Sequence, residues 1–193
     1  MSIYLIRHGQ TAGNAERRLQ TPETPLDETG AEQARLLGKR LQTQRIAEVL
    51  SSDYARAQQT AQAVAKATRA PLVTDPLFRE RNFGDLRGQR WDDIGPGLFS
   101  EAFEPPGGET WSAFRTRAGA AWARILEREQ QLDGRGRLAV VTHGMLYRLL
   151  LKHHVFTKTG EEPPSPGNTA LTVIDPAPPH EVSLLNCTAH LDE

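Results

Sequence analysis

The sequence predicts an α/β fold in which a mostly parallel sheet is covered by helices on both faces. Short, β-branched apolar runs at 3–6, 46–50, 138–141 and 171–174 have the length and composition of buried strands. Between them, 28–44, 53–68 and 109–131 place their apolar residues at helical spacing. Strand and helix in alternation imply helical crossovers over a parallel sheet. A chain of 193 residues sits at the upper end of an ordinary single domain and can bury about 70% of the surface its unfolded form exposes. One domain spanning 1–193 is therefore expected.

Each element carries its own signal. Ile3-Tyr4-Leu5-Ile6 runs at once into Arg7, His8 and Gly9, then Gln10, Thr11 and Asn14. The helix over 28–44 shows Ala31, Ala34, Leu37 and Leu41 on one stripe. The strand 46–50 leads to "SSDYARAQQTA" at 51–61, where Ser52 or Asp53 is suited to cap the helix 53–68 and Arg56 falls in its first turn, with Ala61, Val64 and Ala65 turned inward. Residues 83–108 break the rhythm with six glycines and three prolines around Trp91, Phe99 and Phe103, which reads as a lid or insertion over the sheet and not as a second domain. The helix 109–131 repeats Phe114, Ala118, Ala121 and Ile125, and the strand 138–141 delivers Thr142-His143-Gly144. "TGEEPPSPGN" at 159–168 reads as a further surface loop.

Lys and Arg number 23 and Asp and Glu 24, a net charge of −1 that gives no reason to expect nucleic acid or an acidic membrane surface. An anion site must then be local. The single cysteine, Cys187, has no internal partner for a disulfide, and the N-terminal apolar run is too short for a signal segment or a membrane span. The expectation is a cytoplasmic protein without membrane or nucleic-acid partners; a homodimer stays open.

Function collects where parallel strands end. Two strands each deliver a His-Gly pair, so if they run the same way His8 and His143 face one mouth. A lone histidine there is most often a satisfied loop residue, but a pair of such exits, one with Arg7 beside it, points to a site. Helical side chains lean toward the helix N-terminus, so Arg56 can reach back to the same crevice. Two guanidiniums, two imidazoles and a helix N-terminus suit a compact dianion, with phosphate the obvious candidate.

"LIRHGQT" with Asn14, "SSDYARAQQTA", "FRERNFGDLRG", "PPGGET" and "VVTHGMLYRLLL" resemble, in order, the motif series of the histidine phosphatase superfamily, also called the phosphoglycerate mutase-like family. The likeness runs from residue 3 to about residue 174. It implies a three-layer α/β/α sandwich with a lid insertion and phosphoryl transfer through a phosphohistidine, with neither metal nor cofactor. It further implies His8 as nucleophile with its tautomer fixed by a backbone carbonyl, Arg7, Arg56 and a protonated His143 as phosphoryl holders, and Glu80 as proton donor. Gln10, Asn14, Gly144 and Asn168 become candidate substrate contacts, and Thr11 a structural one.

The chain departs from the family where Thr21 and Thr24 stand before Pro-Leu in place of Gly and Asp, and where the frequent Trp-Glu-Gly of the lid is Leu86-Arg87-Gly88. Arg87 could bring an extra charge toward the substrate or simply face water, and water is the favoured expectation. Family mutases resemble one another in a longer lid with paired arginines, and 89–107 is short and has no such pair. A metal-independent phosphomonoester hydrolase acting on a small phosphorylated substrate is thus favoured over mutase-type phosphoryl transfer, with a non-catalytic phosphate-ligand module as the other alternative. A metal hydrolase finds no support in the histidine spacing: there is no H-x-x-x-H pair, and His153 and His154 are adjacent and so diverge.

Overall fold

The computed structural model describes residues 2–156 and 164–192. Six strands form one sheet: β1 (Ile3–Arg7), β2 (Ile46–Ser51), β3 (Leu72–Thr74), β4 (Arg137–Thr142), β5 (Leu171–Ile174) and β6 (Val182–Cys187), in the order β3-β2-β4-β1-β5-β6. β1 and β4 pair in parallel with Arg7 opposite Thr142, β2 pairs in parallel with β3 and β4, and β5 runs antiparallel to both β1 and β6. The helices are α1 (Ala12–Ala15), α2 (Glu28–Leu41), α3 (Ala55–Thr68), α4 (Trp91–Ile94), α5 (Trp111–Gln131) and α6 (Gly144–His154). Among the described residues no helix is long and apolar enough to cross a membrane.

The period-2 alternation of the central strands sorts their side chains into two cores. Ile3, Leu5, Leu138 and Val140 meet Phe114, Ala118, Ala121 and Ile125 of α5 and Leu146, Tyr147 and Leu150 of α6. Tyr4, Ile6, Ala139 and Val141 point the other way, onto Leu37 and Leu41 of α2 and Ala57, Ala61 and Val64 of α3. Both faces of β1 and β4 are covered, which is why these strands read as unbroken apolar runs.

Some expectations shift in detail. Ala31 is exposed, and Gly30 takes the inward position because it packs against backbone: a Cβ there would stand 2.0 Å from the Gln10 carbonyl oxygen. Neither Ser52 nor Asp53 caps α3. Tyr54 precedes its first turn without a side-chain cap, while Asp53 pairs with Arg79. The lid covers the strand ends and not a sheet face. Leu19, Phe83 and Leu98 form a third cluster with Trp91, Phe103 and Met145 against them. Backbone hydrogen bonds from Leu19 N to Gln89 O (3.0 Å) and from Trp91 N to Arg17 O (2.8 Å) stitch the lid to the loop after α1. Of the loop expected at 159–168, residues 159–163 lie outside the described residues, and 164–168 form neither helix nor strand.

Candidate active site

Parallel pairing of β1 with β4 sets the site. His8 N donates to Thr142 O at 3.0 Å, and the His8 and His143 rings stand 5.1 Å apart, tilted by 58°. Both are buried. Gly9, the next residue, passes so close to α2 that a Cβ would lie 2.6 Å from the Gly30 carbonyl oxygen, so only glycine lets the strand exit turn there.

The tautomer of His8 follows from its partners. Nδ1 lies 2.7 Å from the Gly9 carbonyl oxygen, which can only accept, so Nδ1 carries the proton. Arg56 Nε, a donor only, addresses Nε2 from 3.3 Å, so Nε2 must offer its lone pair. Burial, reinforced by Arg56 and Arg7, holds the His8 pKa well below the ordinary imidazole value against the opposing Gly9 carbonyl. His8 therefore stands neutral with a nucleophilic Nε2.

Arg56, in the first turn of α3, is 2% exposed. It donates through Nη1 to the Thr21 carbonyl at 2.9 Å and lies 5.3 Å over the Tyr54 ring. Burial lowers its pKa to about 10, with Arg7 and Arg87 adding and Glu80 opposing, so it remains a cation at neutral pH. Arg7 Nη1 donates to the Pro166 carbonyl at 2.7 Å, which leaves Nε buried without a protein partner.

The expectation of a protonated His143 is corrected. Burial, with Arg56, His8 and Arg7 adding, holds its pKa well below the imidazole value. Its Nε2 is 2.8 Å from Ser52 Oγ, and that hydroxyl already accepts from Tyr54 N at 3.2 Å. The hydroxyl has a second lone pair and one proton, so it can accept from the ring or donate to it. His143 Nδ1 is buried without a protein partner, and the neutral tautomer protonated there is the one with a donor left for a ligand.

Glu80 occupies the N-terminus of α6. Its Oε2 accepts from Met145 N (3.0 Å), and its Oε1 accepts from Leu146 N (3.2 Å) and Arg81 N (3.0 Å). From spacing alone Glu80 could equally be a glutamate paired with Arg79 or Arg81; instead Arg79 is committed to Asp53, and the Arg81 guanidinium goes to the carbonyls of Glu109 and Phe103. Arg117 of α5 donates to the carbonyls of Leu77, Arg79 and Glu80 while Glu109 grips its guanidinium at 2.8 Å, which fixes the stretch carrying Glu80. Gly144 opens α6 between the charges, and a Cβ there would stand 3.5 Å from Arg7 Nε and 3.9 Å from Glu80 Oε2.

Arg7, His8, Asn14, Arg56, Glu80 and Gly144 line one cavity of about 460 Å³. Gln10 does not join them: its amide turns away to Asp27 Oδ2 at 3.1 Å. Asn168, brought to the strand ends because β5 runs antiparallel, donates to His8 O at 3.1 Å and Asn14 Oδ1 at 3.3 Å, so it braces the site from behind. Thr11 caps α1 through its hydroxyl. Arg87 is only partly in water: it is half-buried, lines the cavity and donates through Nη2 to Tyr54 OH at 3.2 Å. Sequence reasoning did not assign Ser52, Tyr54, Arg81 or Arg117 to the site. The first two lie inside the "SSDYARAQQTA" motif and Arg81 inside "FRERNFGDLRG", whereas nothing local marks Arg117.

Among the described residues no group of three or more His, Cys, Asp or Glu side chains could hold a metal ion. The imidazoles face guanidiniums, a setting for anions.

Known proteins share this fold and sequence pattern. The chain is 36% identical over 161 residues to the probable phosphoglycerate mutase GpmB of Yersinia pestis (strain Pestoides F), covering 78% of this chain and 73% of that one. The phosphoglycerate mutase structure from Bacillus anthracis superimposes with a TM-score of 0.85 at 26% identity, covering 100% of this chain and 95% of the other. A mycobacterial glucosyl-3-phosphoglycerate phosphatase does so with a TM-score of 0.75, also at 26% identity, over 90% and 89%. The family model of the histidine phosphatase superfamily (branch 1) matches residues 3–188, and the chain belongs to that superfamily.

Proposed function

We propose that the chain is a metal-independent phosphomonoester hydrolase that works through a phosphohistidine on His8. The observation that carries this reading is the neutral His8, its Nε2 lone pair addressed by Arg56 at the wall of a cavity in which Arg7, Arg56 and the α6 N-terminus concentrate positive potential. Phosphoryl transfer requires an in-line nucleophile and preorganised donors around the equatorial oxygens.

In the first half-reaction His8 Nε2 bonds to phosphorus as the ester P–O bond breaks. Arg7, Arg56 and the neutral His143 Nδ1–H hold the oxygens, and Glu80, carrying a proton for this step, gives it to the leaving alkoxide. In the second half-reaction water attacks the phosphohistidine, Glu80 takes its proton, and Nε2 leaves with its lone pair restored. The Gly9 carbonyl keeps the Nδ1 proton in place throughout and spreads the positive charge of the phosphorylated ring.

Mutase-type transfer is the second reading, favoured by the likeness to GpmB. The shortness of 89–107 and its lack of paired arginines support hydrolysis. The lone cysteine and near-zero net charge support work in the cytoplasm. A screen of common phosphomonoesters decides between the two activities. Released phosphate supports the hydrolase, whereas positional transfer without release supports the mutase.

A further inference from the structure

The cavity holds more positive charge than one phosphoryl group requires. Its lining contains seven arginines against a single carboxylate, Glu80. Arg17 and Arg18 are ion-paired at the rim with Asp92 and Glu16. Arg81 is fixed to the lid through Nε to Glu109 O and Nη2 to Phe103 O. Arg7 and Arg56 sit beside His8 and suit a phosphoryl dianion. Arg87 is left over. It is half-buried, its hydrogen bond goes to a neutral phenol, Tyr54 OH, and its charge is close enough to Arg56 to depress the pKa of that cation. Fully exposed Glu23 feels the charge of Arg87 but takes no hydrogen bond from it.

Two guanidiniums held near each other at a cavity mouth repel unless an anion joins them, and Tyr54 binds them as one unit. Its ring lies under Arg56 at 5.3 Å while its hydroxyl orients Arg87. The cavity volume, about 460 Å³, is within the usual range for ligands much larger than phosphate. We propose that Arg87, positioned by Tyr54, is a specificity-determining residue that binds a second anionic group on the substrate, so that this site takes phosphomonoesters carrying a carboxylate or second phosphate beyond the scissile one. This inference rests on the phosphatase reading for its catalytic readout but not for its binding readout. Edge-to-face packing of Phe83 and Trp91 on Phe99 gives the same cavity an apolar wall, against which the carbon skeleton between the two anions lies.

The test uses substrate pairs that differ only in the second charge: 3-phosphoglycerate against glycerol 3-phosphate, and 4-carboxyphenyl phosphate against phenyl phosphate. The kcat/KM ratio within at least one pair should favour the acidic member by about ten- to a hundredfold, the value of one charge-assisted contact. R87Q should collapse that ratio and R87K should keep part of it, because a lysine retains the charge but not the planar fork. Equal kcat/KM within both pairs for the natural sequence, or equal loss for both members in R87Q, overturns the proposal. Calorimetric affinities for the same compounds, measured on H8A protein with and without R87Q, separate it from the parent reading. An Arg87-dependent preference in binding without phosphate release by the natural sequence would defeat the phosphatase assignment and leave that of Arg87 standing. No preference in binding defeats the Arg87 assignment.

Discussion

Replacing Arg56 by lysine keeps the charge and removes the fork. The arginine uses Nε toward His8 Nε2, Nη1 toward the Thr21 carbonyl and its face toward Tyr54, while Nη2 and the second Nη1 proton remain for phosphoryl oxygens. A lysine has one nitrogen on a flexible stem, so it cannot orient itself on Thr21, sit over Tyr54 and supply paired donors together. Loss of one donor that acts mainly in the transition state costs about 3 kcal/mol, roughly a hundredfold in kcat/KM. Arg56 is also the second cause, after burial, of the low His8 pKa. Arg56→Ala should therefore raise the His8 titration point, whereas Arg56→Lys should move it less. Steady-state hydrolysis of p-nitrophenyl phosphate and histidine NMR titrations supply the two readouts, and a melting curve confirms that each variant is folded. An R56K enzyme within about threefold of the natural kcat/KM, with R56A leaving His8 unmoved, would return Arg56 to a packing role.

Glu80→Gln keeps the shape and removes the titratable proton. The phosphorylation step should slow by about 10²- to 10⁴-fold with an alkyl phosphate and only mildly with p-nitrophenyl phosphate, whose anion leaves unprotonated. Burst kinetics isolate that step, and equal slowing for both leaving groups would make Glu80 a positioning residue. His8 and His143 are held neutral below the usual imidazole pKa. Above pH ~6.5 neither contributes to the pH dependence of stability. Below it the unfolded chain binds protons that the native state refuses, so stability falls by up to about 1.4 kcal/mol per pH unit for each histidine until the depressed folded pKa is passed. Urea unfolding between pH 7.5 and 5.5 should show this slope, reduced by one histidine's share in His8→Ala; an unchanged slope in that variant contradicts the buried-neutral assignment.

The central strands and long helices were legible because both sheet faces are covered, which forces unbroken apolar runs and regular helical stripes. The edge strands were not. β3 is only Leu72–Thr74, and β6 is partly exposed along its whole length, so neither needs an apolar run. The two His-Gly exits were readable as a pair since parallel neighbours end together. Glu80 lies outside any helix or strand, and its place depends on amides of α6 that arrive 65 residues later. Arg87 depends on a phenol 33 residues away. Gln10 was misassigned because Asp27, which claims its amide, belongs to the next helix cap. Those residues are set by tertiary partners, which local pattern does not encode.

The central claim is that phosphorus passes through His8 Nε2. Rapid quenching in alkaline denaturant during turnover of p-nitrophenyl phosphate, followed by peptide mass spectrometry, tests it most directly. The account predicts a phosphoryl group on His8 that survives alkali and is lost in acid, and no turnover in His8→Ala. Phosphate recovered on a serine or an aspartate, or normal turnover without the His8 imidazole, would contradict it.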